Sequence, residues 1–362
     1  VELLNIECLG KSLRLEGSLA GWQQLYWDEQ LVSQKQQSTA DGLRVHIFHL
    51  NRQGQEKPLE IRLETDVRWQ PFLLDYRLLV DEEVVVSGQR NTQDIERQTP
   101  PRQEASSSKP KPLGILALGL KLFKSAKVIK IALAGASVAA YSWLFSFQFA
   151  IALILCLVIH EYGHIRAMKR FGLQTKGIYL IPFMGGLAVS DDKINTRWQN
   201  VVISIMGPTY GMLLSIIALV AYEITGLELL AGLAVFNALL NIFNLLPILP
   251  LDGGHILKSI GYSQNHLTGL VVCIAGAALG VYISYALGLT LLGILLAVGS
   301  LEILLEWKYR HQSHLLPMDR YGQFVSAVWY LLTVCVLAGI IWFLASNSDN
   351  PIMQIPLHIL RG

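Results

Sequence analysis

His160 and His164 stand four residues apart in His160-Glu161-Tyr162-Gly163-His164. Positions four apart on an α-helix differ by about 40° around the axis, so both imidazoles would leave one face and could share a tetrahedral metal, with Glu161 beside it as a base. With nine histidines in 362 residues, random placement would give this pattern in about one such chain in a hundred. Its setting adds weight. The motif follows the apolar run Ile151 to Ile159, and ionisable groups inside a membrane-length helix cost a few kcal/mol unless a function retains them.

Zinc in a hydrolytic site takes three protein donors and keeps one position open. A third donor is therefore needed. Glu223 and Glu228 are expected on the wrong side of a membrane, while Glu302, Glu306 and Asp252 fall near the right depth. Asp252 sits in Asn244-Leu-Leu-Pro247-Ile-Leu-Pro250-Leu-Asp252-Gly253-Gly254-His255, where two prolines break a helix and two glycines permit unusual backbone. Irregular backbone at membrane depth survives only where it lines a protein cavity. His255 reads as a loop histidine, and Asn237, Asn241 and Asn244 form one polar helix face suited to interhelical hydrogen bonds.

The elements that position these groups follow from composition. Hydrophobic residues make up 52% and charged residues 15% of the chain, far fewer charges than a soluble protein carries. Residues 1–110 hold 17 acids and 13 bases, a net −4, and the remainder holds 10 and 16, a net +6. Two materials are joined, and nothing supports nucleic-acid binding. Apolar stretches of crossing length, about 20 residues, lie near 129–147, 148–167, 200–222, 228–249, 267–285, 288–306 and 325–345. The expected fold is a multi-pass α-helical membrane protein of about seven spans, with a small N-terminal antiparallel β domain.

That domain, residues 1–95, alternates apolar and polar residues, as in Leu59 to Glu64, with a hairpin turning at Asp81-Glu82 and turns at Gly17, Gly42 and Asn51 to Gly54. His46 and His49 would face opposite sides of a strand and make a poor metal pair. No signal-type apolar run opens the chain, so export of this domain is not expected. Residues 96–112 are rich in proline, serine and charge and should form a disordered, solvated linker. Residues 113–128 suit an interfacial helix or the basic flank of the first span. Cys8, Cys156, Cys273 and Cys335 are too scattered for a disulfide framework.

Lysine and arginine crowd alternate loops, before the first span, between the second and third, and after the fourth and sixth. The positive-inside rule then puts the β domain in the cytoplasm and residues 347–362 outside, in a cell inner (plasma) membrane. His160 and Asp252 would both lie at cytoplasmic ends of spans.

The pair H-E-x-x-H in one span and N-x-x-P-x-x-x-L-D-G in a later one resembles the site-2 protease family of intramembrane zinc metalloproteases, over about residues 129–256. The resemblance implies one zinc per chain, held by His160, His164 and Asp252, with Glu161 as catalytic base. Ile178 to Val189, with Gly185 and Gly186, resembles the family's re-entrant β-hairpin, and Gly207-Pro208 its G-P-x-x-N turn, with Gly211 where the family often has Asn. Gly185, Gly186 and Asn244 are then candidates for substrate contact. Tyr162 reads as packing and Gly163 as allowing close helix approach. Residues 257–346 would be additional helices outside the resemblance.

Hydrolysis of peptide bonds in or near transmembrane segments, that is, regulated intramembrane proteolysis, is the implied activity. Its partners would be transmembrane protein substrates, the lipid bilayer and a cytoplasmic partner of the β domain. Other readings remain: a membrane protease with Glu302 or Glu306 as third ligand, a zinc-stapled scaffold without proteolysis, and a transporter, which would need a second broken helix.

Overall fold

The structure is a computed structural model that describes residues 1–19, 21–36, 39–50, 58–98, 126–144, 146–181, 185–190, 192, 194–286, 288, 290–308 and 315–347. Most of the expected linker, the segment 113–125, the turn at 51–54 and the tail after 347 lie outside these residues.

Among the described residues, eight strands form the N-terminal domain: β1 (Glu2–Cys8), β2 (Lys11–Gly17), β3 (Trp22–Trp27), β4 (Gln30–Gln36), β5 (Gly42–Leu50), β6 (Leu59–Trp69), β7 (Phe72–Val80) and β8 (Glu83–Asn91). They make two antiparallel four-stranded meanders, β1-β2-β3-β4 and β5-β6-β7-β8. The period-2 alternation sends Leu13, Leu15 and Leu25 of one sheet and Ile61, Leu63, Leu74 and Leu78 of the other into a single core. Asp81 and Glu82 close the expected hairpin, and Asp28 and Glu29 close a second. All four have φ between 47° and 68°, as two-residue turns matched to strand twist require.

His46 is a core histidine. Its Nδ1 lies 3.0 Å from Ser33 Oγ and its Nε2 3.0 Å from Gln23 Oε1. His49 is a separate surface group, 3.8 Å from Glu60.

Helix α1 (Thr92–Glu96) begins at a capping box of Asn91 and Asp94 and buries Ile95 in the β core. Residues 96–98, expected to open a free linker, are instead bound to the helical part. Asn195 Nδ2 donates to the carbonyls of Ile95 (3.1 Å) and Gln98 (2.6 Å), and Gln199 Nε2 to that of Glu96 (3.2 Å).

The helical part contains α2 (Ala126–Leu144), α3 (Phe147–Arg170), α4 (Arg197–Thr225), α5 (Glu228–Asn244), α6 (Asp252–Gln264), α7 (His266–Ala286), α8 (Thr290–Lys308) and α9 (Arg320–Asn347), with the hairpin β9 (Thr175–Ile181) and β10 (Gly185–Ser190) between α3 and α4. Each of the seven apolar stretches coincides with a helix. Among the described residues, four of these, α3, α4, α7 and α9, are long and apolar enough to cross a membrane. Ser146 caps α3 through its hydroxyl, which separates the first two stretches. Two sequence expectations need correction. Gly207 and Pro208 lie inside α4 and form no turn. A helix not anticipated, α6, starts at Asp252, so the expected boundary at 256 falls within it and His255 is helical.

Burial, together with Lys35 and Arg44 nearby, lowers the His46 pKa from 6.5 to about 4. The unfolded chain therefore binds more protons between those values, so this contribution is complete above pH 6.5 and lost as pH falls toward 4. The urea midpoint of β-domain unfolding in the full chain should fall across that window, and His46→Gln should flatten the dependence. An unchanged slope in the variant would remove His46 as its source.

Candidate metal centre

Helix α3 turns His160, Glu161 and His164 inward, each less than 10% exposed. What lets α4 come close enough to meet them is glycine. A Cβ on Gly163 would lie 2.7 Å from the Met206 carbonyl carbon and 3.0 Å from the Gly207 Cα, and one on Gly207 would lie 2.9 Å from His160 Nε2. Both positions must lack a side chain, as expected for Gly163. Tyr162 packs edge-on against Tyr210, ring centroids 5.8 Å apart.

Asp252 reaches the same point from another direction. After α5 the chain is irregular from 245 to 251, and Asp252 opens α6 rather than lying in the irregular run itself. Its Oδ2 is 3.2 Å from His160 Nε2 and 3.5 Å from His164 Nε2, and the two nitrogens are 3.1 Å apart. Glu161 also lies with the two histidines in a group able to hold a metal.

The protonation of the rings follows from their outer hydrogen bonds. His164 Nδ1 is 2.7 Å from the Ile203 carbonyl, which can only accept. His160 Nδ1 is 2.8 Å from Asn241 Oδ1. Asn241 has its orientation set because its Nδ2 donates to Asn237 O (2.7 Å) and Oδ1 (3.1 Å), while Asn237 Nδ2 donates to the Gly211 carbonyl (2.6 Å) and Ser215 Oγ (2.8 Å). A backbone acceptor at the end of the relay thus fixes every donor along it. Both Nδ1 atoms therefore carry a proton, and both Nε2 atoms face the Asp252 carboxylate, where a neutral ring could offer its Nε2 lone pair to a metal. With both rings neutral, three lone-pair donors at this spacing repel one another unless a cation lies between them. Tetrahedral coordination with bonds of 2.0–2.1 Å puts neighbouring donors about 3.3 Å apart, so the donor set fits a zinc ion.

The remaining candidates separate clearly. Glu302 is not part of the cluster: Lys258 Nζ donates to its Oε1 at 2.6 Å, and His255 Nδ1 is 3.8 Å from the same oxygen. Glu223 and Glu228 are exposed at the far ends of their helices. Asn244 donates to the Leu240 carbonyl of its own helix at 3.1 Å and does not join the donors. Gly185 and Gly186 pair with Ile181 and Leu180 in the hairpin. A Cβ on Gly186 would lie 2.7 Å from the carboxylate carbon of Glu161, so β10 passes directly over the candidate base. Sequence reasoning gave Asn241 only a general interhelical role. Its four-residue spacing from Asn237 was visible, but its pairing with His160 required the fold.

The model of peptidase family M50 matches residues 148–227. This segment is similar to that family, the site-2 protease family. The M50 segment holds His160, Glu161 and His164, while Asn241 and Asp252 lie beyond it. A putative zinc metalloprotease of Synechocystis sp. is 31% identical over 213 residues, 58% of this chain and 48% of that protein. A zinc metalloprotease of Methanocaldococcus jannaschii is 36% identical over 113 residues, 30% and 32% of the two chains. Stage IV sporulation protein FB of Bacillus subtilis is 28% identical over 185 residues, 47% and 62%. The chain thus spans from about a third to three fifths of the length of these relatives.

Replacing Asn241 by Leu removes the acceptor that orients His160 with little change in volume. Zinc affinity, measured by chelator competition, should fall about 10- to 100-fold with helical content unchanged. Affinity within twofold of the parent would show that the relay does not tune the site.

Proposed function

We propose that the chain is an intramembrane zinc endopeptidase that hydrolyses peptide bonds in or near transmembrane segments of membrane proteins. One observation carries this reading. Three acceptors from motifs about ninety residues apart converge at 3.1–3.5 Å, with a buried glutamate beside them and a β-strand over that glutamate.

His160, His164 and Asp252 would hold the ion. Zinc bound there would supply Lewis acidity and a water whose pKa is lowered to about 7. Glu161 accepts the proton of the attacking water at its carboxylate and returns it to the leaving amine. A substrate helix conceals its carbonyls in its own hydrogen bonds and must first become extended. Strand β10 pairs with β9 on one side only among the described strands, so an extended segment can add to its other edge. Gly186 lets that edge approach Glu161, Gly185 belongs to the same edge, and Asn244 contributes to the substrate path near the loop at 245–251.

The orientation follows from charge. Asn195 and Gln199, before and within α4, bind α1; Gln70 Nε2 donates to Ser263 O at the end of α6; and Arg197 N donates to Leu316 O before α9. One end of the helical part therefore meets the β domain, and that end also carries Arg166, Lys169, Arg170 and Arg320. By the positive-inside rule it is cytoplasmic. His160 is the fourteenth residue of α3, about 20 Å from the helix start, so cleavage falls in the cytoplasmic half of the membrane. The β domain would bind released or adjoining substrate segments there. A zinc-stapled scaffold would leave Glu161 under β10 without a task.

Glu161→Gln should keep one zinc per chain and the parent melting temperature while cleavage of a reconstituted transmembrane substrate falls by several orders of magnitude. Asp252→Ala should lose zinc as well as activity. Normal turnover in the Glu161 variant would refute the mechanism, and full zinc occupancy in the Asp252 variant would refute the ligand set.

A further inference from the structure

We propose that the groove between the β domain and the ends of α3, α4 and α9 binds an acidic phospholipid, with its phosphate at the basic mouth and an acyl chain along α4. The groove has a volume of about 900 Å³, within the range of small-molecule sites. Its mouth carries Arg97, at the end of α1, and Arg166, Lys169 and Arg170, in the last turns of α3. No carboxylate among the described residues lies within ion-pair distance of these four side chains. Among the described residues Glu96 is the one acid lining the groove; its Oε1 accepts from Thr196 Oγ1 at 3.5 Å, and Arg97 is near enough to act on its charge.

Below the cations the wall is apolar and regular. Trp198, Val202, Met206 and Tyr210 line the groove at four-residue intervals and so form one stripe on α4. Trp329 faces it from α9, with its indole N–H donating to Thr209 Oγ1 at 3.1 Å. From Trp198 to Tyr210 the stripe rises about 18 Å, against about 15 Å for half of the bilayer hydrocarbon. Cations at one end and an apolar track one leaflet deep match a lipid that has an anionic headgroup. A free phosphate would leave the track empty. The chain's own segment 99–125 has five bases and one acid, a charge that does not complement the mouth.

A lipid seated here would draw Arg97 of the β domain toward α3, the helix that carries the H-E-x-x-H motif. The inference rests on the membrane reading of these helices and not on zinc or proteolysis, so zinc content is measured on the same samples. The full chain would be studied by native mass spectrometry in micelles supplied with phosphatidylglycerol, phosphatidylcholine or inorganic phosphate. We expect one phosphatidylglycerol per chain, not displaced by excess phosphatidylcholine or by millimolar phosphate.

The triple variant R97Q/R166Q/R170Q should bind about 100-fold more weakly, at about fivefold per cation removed, and Arg320→Gln should leave binding unchanged. If the triple variant fails to accumulate, the single Arg170→Gln change at an exposed position should show the fivefold loss. Equal retention of both lipids, full displacement by phosphate, or unchanged binding in the variants would overturn the proposal whatever the zinc content.

Discussion

The distance between α3 and α4 is set by one contact, the bare backbone of Gly163 against Met206 and Gly207, and the metal centre depends on it. With the helices this close, the Ile203 carbonyl of α4 reaches His164 Nδ1 and the Gly207 backbone lies against both imidazoles. A methyl group at either glycine would sit well inside van der Waals contact of backbone or imidazole atoms, and the shift needed to relieve it exceeds the tolerance of about 0.5 Å of a preorganised site. The same closeness leaves Gly211, one turn further along α4, with no room for a side chain, because Asn241 fills that space. Gly211 departs from the family pattern that has Asn there, and in this fold an asparagine from α5 occupies the volume.

Asp252 is held by a different device. Pro247 and Pro250 keep residues 245–251 out of helical geometry, and the backbone they free is bound elsewhere: Tyr330 Oη donates to the Leu245 carbonyl at 2.6 Å. Gly253 and Gly254 let the first turn of α6 press against this run. Helices α7 and α8 then close around it, with Ile248 and Leu296 in one small apolar cluster and Leu249, Cys273 and Ile303 in another. Although α7 and α8 lie outside the matched M50 segment, they wall the loop that leads into Asp252, the third candidate donor.

The candidate donors were legible in the sequence because their signal is local. H-E-x-x-H fixes its geometry by helical periodicity alone, and the prolines and glycines around Asp252 mark special backbone without any knowledge of the partner. The β domain was legible for the same reason, through period-2 alternation and the Asp81-Glu82 turn. Helix α6 escaped because the glycines at its start read as a loop, whereas they serve close packing inside a first turn. Gly207-Pro208 read as a turn, although a proline inside a long helix between packed neighbours leaves α4 continuous. Asn241 and the clamp on residues 195–199 depend on pairs 81 and about 100 residues apart, and no local pattern encodes such distances.

Those long-range pairs give the β domain a defined mechanical relation to the site. Helix α4, whose Ile203 carbonyl orients His164, is gripped at its start by α1 through Asn195 and Gln199. Helix α6, whose first residue is Asp252, is gripped at its end by Gln70 through the Ser263 carbonyl. The two helices are also joined to each other, since Asn200 Nδ2 donates to Ser259 Oγ at 2.8 Å. Leu316, from the segment before α9, is fully buried in the β core, which locks a third element to the same domain. The N-terminal domain is therefore a brace across two elements that position the donors and not a tethered accessory. A displacement of the β domain that pulled unequally on α4 and α6 would change the separation of His164 and Asp252, which at 3.5 Å leaves little slack for a tetrahedral site.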